Sequence, residues 1–307
     1  MGRAGHDLWH RLGRLGQARR GGRMKFIHLT DTHVTGGDRL LYGANPARRL
    51  AQAVDSINAE HGDAAFVIVT GDMTHWGDAG AYAAFRDKIS RLDMPVHLMV
   101  GNHDDTAAFT EYFPNAPRDN NGFVQFTLDT PHGRAICLDT KSPGTHAGSY
   151  CQARLDWLSA RLQETNDPVL LFMHHPPFKV GIYAMDAIMM QDADAFHEVI
   201  APHKARIRHL FFGHVHRAIF GNWRGICFSC MRGLNHQVAL DLTAGQSEIP
   251  GNLEPQAYGV VLVDEAAVIV HMHDFMDSSP AFSLHAPESV DPVRYQLDMV
   301  HAGFKDL

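Results

Sequence analysis

Cysteine is scarce here: four residues in a chain of 307, which leaves no disulfide framework to build on. The Cys227-Phe228-Ser229-Cys230 spacing has the form of a redox pair. It lies in a strand-like run, however, where residues three apart face opposite sides. Reduced, mostly buried cysteines are expected. Basic charge is also in short supply. Lys and Arg number 27 against 34 Asp and Glu, a net charge of −7 with histidine neutral, which argues against a general nucleic-acid binder. No apolar run approaches the roughly 20 residues that cross a bilayer, and the first residues lack the apolar segment of a secretory signal. The expectation is a cytoplasmic protein with no membrane contact. At 45% hydrophobic the chain can still bury a full core, as one large domain or one domain with an insert.

Histidine is what the sequence has in plenty, 22 residues of it. Gly213-His214-Val215-His216 follows the apolar run 208–212, and two histidines one residue apart point to the same side of an extended chain. Four more stretches resemble it in placement: Asp31-Thr32-His33, Gly71-Asp72, Gly101-Asn102-His103-Asp104 and Met173-His174-His175. Each follows a β-branched apolar run, so five buried strands deliver Asp, Asn or His at their C-terminal ends. Open α/β sheets place their sites there. Singly these motifs are weak, since Gly-Asp is common in turns. In one order they supply two Asp, one Asn and four His, generous for one metal ion and enough for two.

The first 23 residues differ from the rest, with six Arg, no Lys and one Asp. They are expected to be a dispensable extension, with the first strand starting at Met24. From there strand and helix alternate. Helical spacing runs through Pro46–Glu60 with Asn45 as its N-cap, and helices are also predicted over 78–91, 105–112, 152–164 and 186–200. Three Met at one end of the last read as gap-filling core. Hairpins are predicted across Pro131-Gly133 and at 258–272, and 217–257 reads as an insert, a cap or a dimer contact. The tail 273–307 shows no period. Parallel units mixed with hairpins predict an α/β protein of two packed mixed sheets with helices outside.

With these residues in view, the chain resembles the calcineurin-like metallophosphoesterases. The match covers roughly residues 24–216 and fills every ligand position. More narrowly, Leu41-Tyr42-Gly43, Gly101–Asp105, Met173–Pro177 and His236-Gln237-Val238 are similar to the class III cyclic-nucleotide phosphodiesterases and bacterial glycerophosphodiesterases. The resemblance implies a four-layer αββα sandwich with a binuclear centre. Asp31, His33 and His216 would hold the first ion, Asn102, His174 and His214 the second, and Asp72 would bridge both. It implies a role for His103 at the transition state or the leaving oxygen, with Asp104 orienting it or a ligand. Tyr42 and His236 match positions that line the substrate pocket. His75 stands where purple acid phosphatases carry a metal-binding Tyr, so that branch is disfavoured, and His75 is expected to be exposed or behind the ligands. His175 is expected to face away. Thiolate-free donors suit two divalent ions drawn from Mn, Fe, Zn or Co.

Two divalent ions bring about +4, two carboxylates about −2 and a bridging hydroxide about −1, leaving the site at roughly +1. Such a site attracts a single phosphate anion and offers little to a long polyanion. The expectation is a metal-dependent phosphodiesterase for small diesters, a cyclic nucleotide such as 3′,5′-cAMP or a glycerophosphodiester. In-line attack by the shared hydroxide needs no covalent intermediate. The alternatives are a nucleotide pyrophosphatase, a nuclease or a phosphomonoesterase on the same fold, or a non-catalytic scaffold. A nuclease should show a basic tract outside residues 1–23, and none is present. A scaffold should lack some of the ligands. A homo-oligomer pairing through 217–257 is expected by analogy with the fold, and specificity is expected in loops 34–45, 114–122 and 217–257.

Overall fold

The computed structural model describes residues 22–279 together with 291, 293 and 294. The predicted extension falls mostly outside the described residues, as does most of the tail. Contacts divide the chain after Met276, and the first unit carries everything considered below.

Its architecture follows from runs that are apolar on both faces. The strands β1 (Met24–Leu29), β2 (Val67–Thr70) and β3 (Val96–Met99) are buried almost throughout, as strands covered on both sides must be. They pair in parallel, and β12 (Tyr258–Val263) and β13 (Val268–His273) extend the sheet antiparallel, giving the order β13-β12-β1-β2-β3. The second sheet runs β4-β5-β6-β7-β9-β8. It comprises the hairpin β4 (Phe126–Thr130) and β5 (Gly133–Cys137), the parallel strands β6 (Val169–Phe172) and β7 (Ile207–Phe212), and the hairpin β8 (Ile219–Trp223) and β9 (Ile226–Cys230). A two-stranded ribbon pairs β10 (Gln237–Val238) with β11 (Gly251–Asn252).

Between the sheets lies an aromatic layer. Phe26 stacks on Phe66 at 4.9 Å and Phe172 on Phe211 at 4.8 Å, and Phe26 meets Phe211 edge-on. A second core packs the first sheet under α1 (Pro46–Glu60), α2 (Ala79–Ile89) and α3 (Thr106–Tyr112). A third packs the other sheet under α4 (Gln152–Gln163), α5 (Tyr183–Asp186) and α6 (Ala193–Ile200). The result is the αββα sandwich. Asn45 caps α1 by accepting the Arg48 amide at 3.0 Å, with Pro46 in the first turn.

Two expectations need correction, and one strand was not foreseen. The predicted helix over 186–200 is broken at 187–192, because Gly148 bridges to Met190 and the Asp192 carboxylate accepts the Tyr150 amide at 2.7 Å. Strand β8 carries no alternating pattern and is not predicted. The hairpin expected to end at residue 272 continues to His273.

Candidate metal centre

Residues from four of the five strand ends, His33, Asp72, Asn102 and His214 with His216, line one cavity of about 550 Å³, and His174 from the fifth is buried behind them. The chain turns abruptly after each strand, and Asp31, His33, Asp72, His214 and His216 all adopt positive φ, between 45° and 69°. For residues with a Cβ this costs of order 1–3 kcal/mol each and concentrates at functional sites. Gly101 is needed because a Cβ there would collide with the Asp72 carboxylate.

The side chains form two groups that share Asp72. In the first, His33 Nε2 stands 3.0 Å from His216 Nε2, 3.5 Å from Asp72 Oδ2 and 3.9 Å from Asp31 Oδ1. His216 Nε2 is 3.3 Å from Asp31 Oδ1. In the second, Asn102 Oδ1 lies 3.0 Å from His174 Nε2 and 2.9 Å from His214 Nδ1. His174 Nε2 lies 3.4 Å from Asp72 Oδ2. Donors about 2.0–2.2 Å from one ion stand roughly 3–3.5 Å apart, so these spacings fit such a shell.

The outer hydrogen bonds settle which atoms face inward. His174 Nδ1 donates to the Thr70 carbonyl at 2.7 Å and His216 Nδ1 to the His236 carbonyl at 2.8 Å. Their Nε2 lone pairs therefore point at other acceptors, an arrangement that repels unless a cation or a proton intervenes. In the ion-free protein protons serve. Burial alone would lower the His174 pKa, but Asp72 outweighs it and lifts the group to about 9. Asp31 likewise raises His216 against its burial. Burial holds His33 and His214 well below the ordinary imidazole value, lone pairs available. Two Asp, one Asn and four His, mutually aimed and without thiolate, fit two divalent ions. Asp31 is fixed by the Thr30 hydroxyl at 2.7 Å and the His214 amide at 3.0 Å, and Asp72 by the His103 amide at 2.8 Å.

His103 lines the cavity. Its Nδ1 donates to the His75 carbonyl at 2.9 Å, which leaves Nε2 for a bound molecule. Asp104 does not orient it. The buried Asp104 carboxylate accepts the amides of Met73, Thr74 and Gly101 and the hydroxyls of Thr74 and Tyr82, all within 3.2 Å. Asp104 thus ties the Asp72 turn to the Asn102 turn as a positioning residue: of the two roles expected of it, its contacts are those of orienting ligands and not of orienting His103. Tyr42, at φ 52°, and His236 both line the cavity with ring centroids 4.7 Å apart. His175 is committed elsewhere, to Thr140 Oγ1 at 2.8 Å and to the His146 carbonyl at 3.2 Å.

Several lining residues were not expected. His75 takes the second of its two expected places, behind a ligand, and also lines the cavity. It stacks on His103 at 4.7 Å, and its Nδ1 is 3.1 Å from His33 Nδ1. His146 accepts the Asn102 amide at 2.9 Å and so turns Asn102 Oδ1 toward His174 and His214. It lies in the Gly144–Gly148 loop, where no strand-end pattern marks it. An apolar wall of Met185, Ile188, Val238, Ile249 and Leu253 faces the imidazoles. Met185 is therefore lining as well as core. Of the loops expected to set specificity, 114–122 contributes nothing to the cavity. Among the described residues, Asp72 is the only Asp, Glu, Lys or Arg in the lining. His75 and His236 are pushed down to about 4 and about 2, chiefly by burial, so this wall is uncharged at neutral pH.

Sandwich and donor set define a metal-dependent phosphoesterase. Residues 24–218 match the calcineurin-like phosphoesterase family, and the chain belongs to it. It is 47% identical over 266 residues to a probable cyclic nucleotide phosphodiesterase of Rhodopseudomonas palustris, covering 85% of this chain and 96% of that one. It is 32% identical over 224 residues to a probable glycerophosphodiester phosphodiesterase of Arcobacter nitrofigilis, covering 71% and 81% respectively. Among solved structures, a dimetal phosphatase from Danio rerio superposes with a TM-score of 0.63 at 15% identity, covering 81% of this chain and 95% of that one, and shares the fold. No helix among the described residues is long and apolar enough to cross a membrane.

Proposed function

We propose that this chain is a phosphodiesterase for small diesters, cyclic nucleotides foremost. Asp31, His33, Asp72 and His216 would hold one divalent ion, and Asp72, Asn102, His174 and His214 would hold the second. The observation that carries the reading is the pair of donor groups sharing Asp72 at the floor of one cavity. Bound there, two ions of the Mn, Fe, Co or Zn type supply Lewis acidity and lower the pKa of water for in-line attack on phosphorus.

The chain's own groups do the rest. His103 Nε2 reaches the substrate and passes a proton to the departing alkoxide, while the His75 carbonyl keeps its ring in place. Tyr42 and His236 flank the phosphate from the open side. With no Lys or Arg in the lining among the described residues, the cavity favours the single charge of a diester over the double charge of a monoester. The apolar wall supports a flat nucleobase better than the glycerol or headgroup of a glycerophosphodiester. The similarity to a probable cyclic nucleotide phosphodiesterase supports the same choice.

Self-association belongs to this reading, supported by exposed Phe220, Leu240 and Leu242 in the 217–257 segment. Four unpaired cysteines support a reducing, cytoplasmic setting. The test is turnover of bis-p-nitrophenyl phosphate and of 3′,5′-cAMP by metal-stripped protein, with and without added Mn. Restoration by Mn is expected, and turnover indifferent to chelation overturns the proposal.

A further inference from the structure

A second convergence of metal-ligating side chains lies at the C-terminal end of α1. Glu60 ends that helix, His61 follows as its cap, and His273 ends β13, the outermost strand of the first sheet. One donor atom from each lies within 4.8 Å of the others. The His61 and His273 rings stand nearly perpendicular at 5.4 Å, and both also pack against Tyr258.

Three features mark the cluster as more than a surface ion pair. Both ring nitrogens of His61 are shut off from water and lack a hydrogen-bond partner, an expense that folded proteins rarely leave unrelieved. His273 Nε2 lies 3.1 Å from Glu60 Oε2, a spacing that two ligands of one ion can share. The Ser56 hydroxyl meanwhile donates to Glu60 Oε1 at 2.7 Å, which presets the carboxylate and leaves Oε2 toward the rings. Burial lowers the His61 pKa, so its lone pair is free at neutral pH. The nearby cation, Lys25, is engaged with Asp63 at 2.5 Å.

We propose that Glu60, His61 and His273 form a third metal site, outside the catalytic cavity, for a divalent transition-metal ion of the zinc type. Two imidazoles and one carboxylate are a donor set for such an ion, with water completing the shell. The ion staples the end of α1 to the edge strand β13, and it stabilises the fold without entering the reaction.

The experiment is zinc binding to the Mn-loaded holoenzyme, followed by metal analysis and thermal unfolding. Wild type should retain one more equivalent of zinc than His273→Gln and Glu60→Gln, and zinc should raise its Tm but not theirs. Losing one donor should weaken this binding at least ~10-fold, the lower end for loss of an outer-shell partner. Phosphodiesterase turnover with Mn should match wild type in both variants, which also reports that they are folded. If His273→Gln does not fold, Glu60→Gln, altered only at a partly exposed side chain, decides alone. Equal zinc content and equal Tm response in wild type and variant overturn the site.

Discussion

Acid should loosen this fold through a histidine far from the chemistry. His97 lies in β3 beneath Phe66, 4% exposed. Burial alone depresses its pKa to about 4. A folded-state pKa below the unfolded value of 6.5 means that the unfolded chain binds the extra proton. The resulting stability is present at neutral pH and drains away as pH falls from about 6.5 toward 4. Between pH 6 and pH 5 the difference amounts to about 1.2 kcal/mol for this one group, a sizeable part of a total near 5–15 kcal/mol. His97→Phe keeps an aromatic ring and removes the titration. Urea unfolding of wild type and variant, followed by tryptophan fluorescence at pH 7.5, 6 and 5, isolates the effect, because metal-linked protons are common to both. The variant should gain on wild type by about 1.2 kcal/mol over that last step. A stability difference independent of pH would refute the reasoning and show that His97 is protonated, or hydrated, in the folded state.

Four further outcomes test the site. Asp72→Ala should lose both ions and nearly all turnover, read by metal analysis alongside bis-p-nitrophenyl phosphate hydrolysis; one fully held ion with normal rate would contradict a shared carboxylate. His103→Ala should keep its metal content and slow turnover by roughly 10²–10⁴-fold, with an unchanged rate removing it from the reaction. His146→Ala should loosen the ion held by Asn102 more than the one held by Asp31, seen as two separated steps in a metal titration where wild type shows closer ones. Ile188→Asp should raise KM for 3′,5′-cAMP about 10-fold or more while leaving bis-p-nitrophenyl phosphate kcat near wild type, and equal losses on both substrates would remove the apolar wall from base recognition.

The legibility of this site in the sequence has a physical basis. A strand buried on both faces must be apolar throughout, so a polar residue directly after such a run stands at a sheet edge whose height the run itself sets. Asp31, Asp72, Asn102, His174 and His214 are found that way, and their five strands are neighbours in two sheets that pack face to face. His146 and Ile188 reach the same cavity from loops and Met185 from the short helix α5, where no periodicity records distance from a sheet edge. Asp104 illustrates the opposite hazard. Adjacency to His103 suggests a side-chain partner, yet its carboxylate is consumed by the amides of Met73, Thr74 and Gly101, donors that no residue identity reveals. The helix break at 187–192 has the same cause, since a bridge to Gly148 overrides local spacing.

The left-handed turns join these observations. Five of the seven donors sit at positive φ, a conformation uncommon for residues with a Cβ, though Asp and His tolerate it better than most. At Asp72 it is held by Gly101 at close quarters and by the Asp104 clamp on the amides of Met73 and Thr74. The sandwich thus supplies the strain, and the strain aims the lone pairs at one another. Two cations relieve that repulsion while leaving Nε2 of His174 and His216 unprotonated. Metal affinity should therefore weaken first as pH falls below the lifted pKa of His174, about 9, because there a proton competes for the same lone pair.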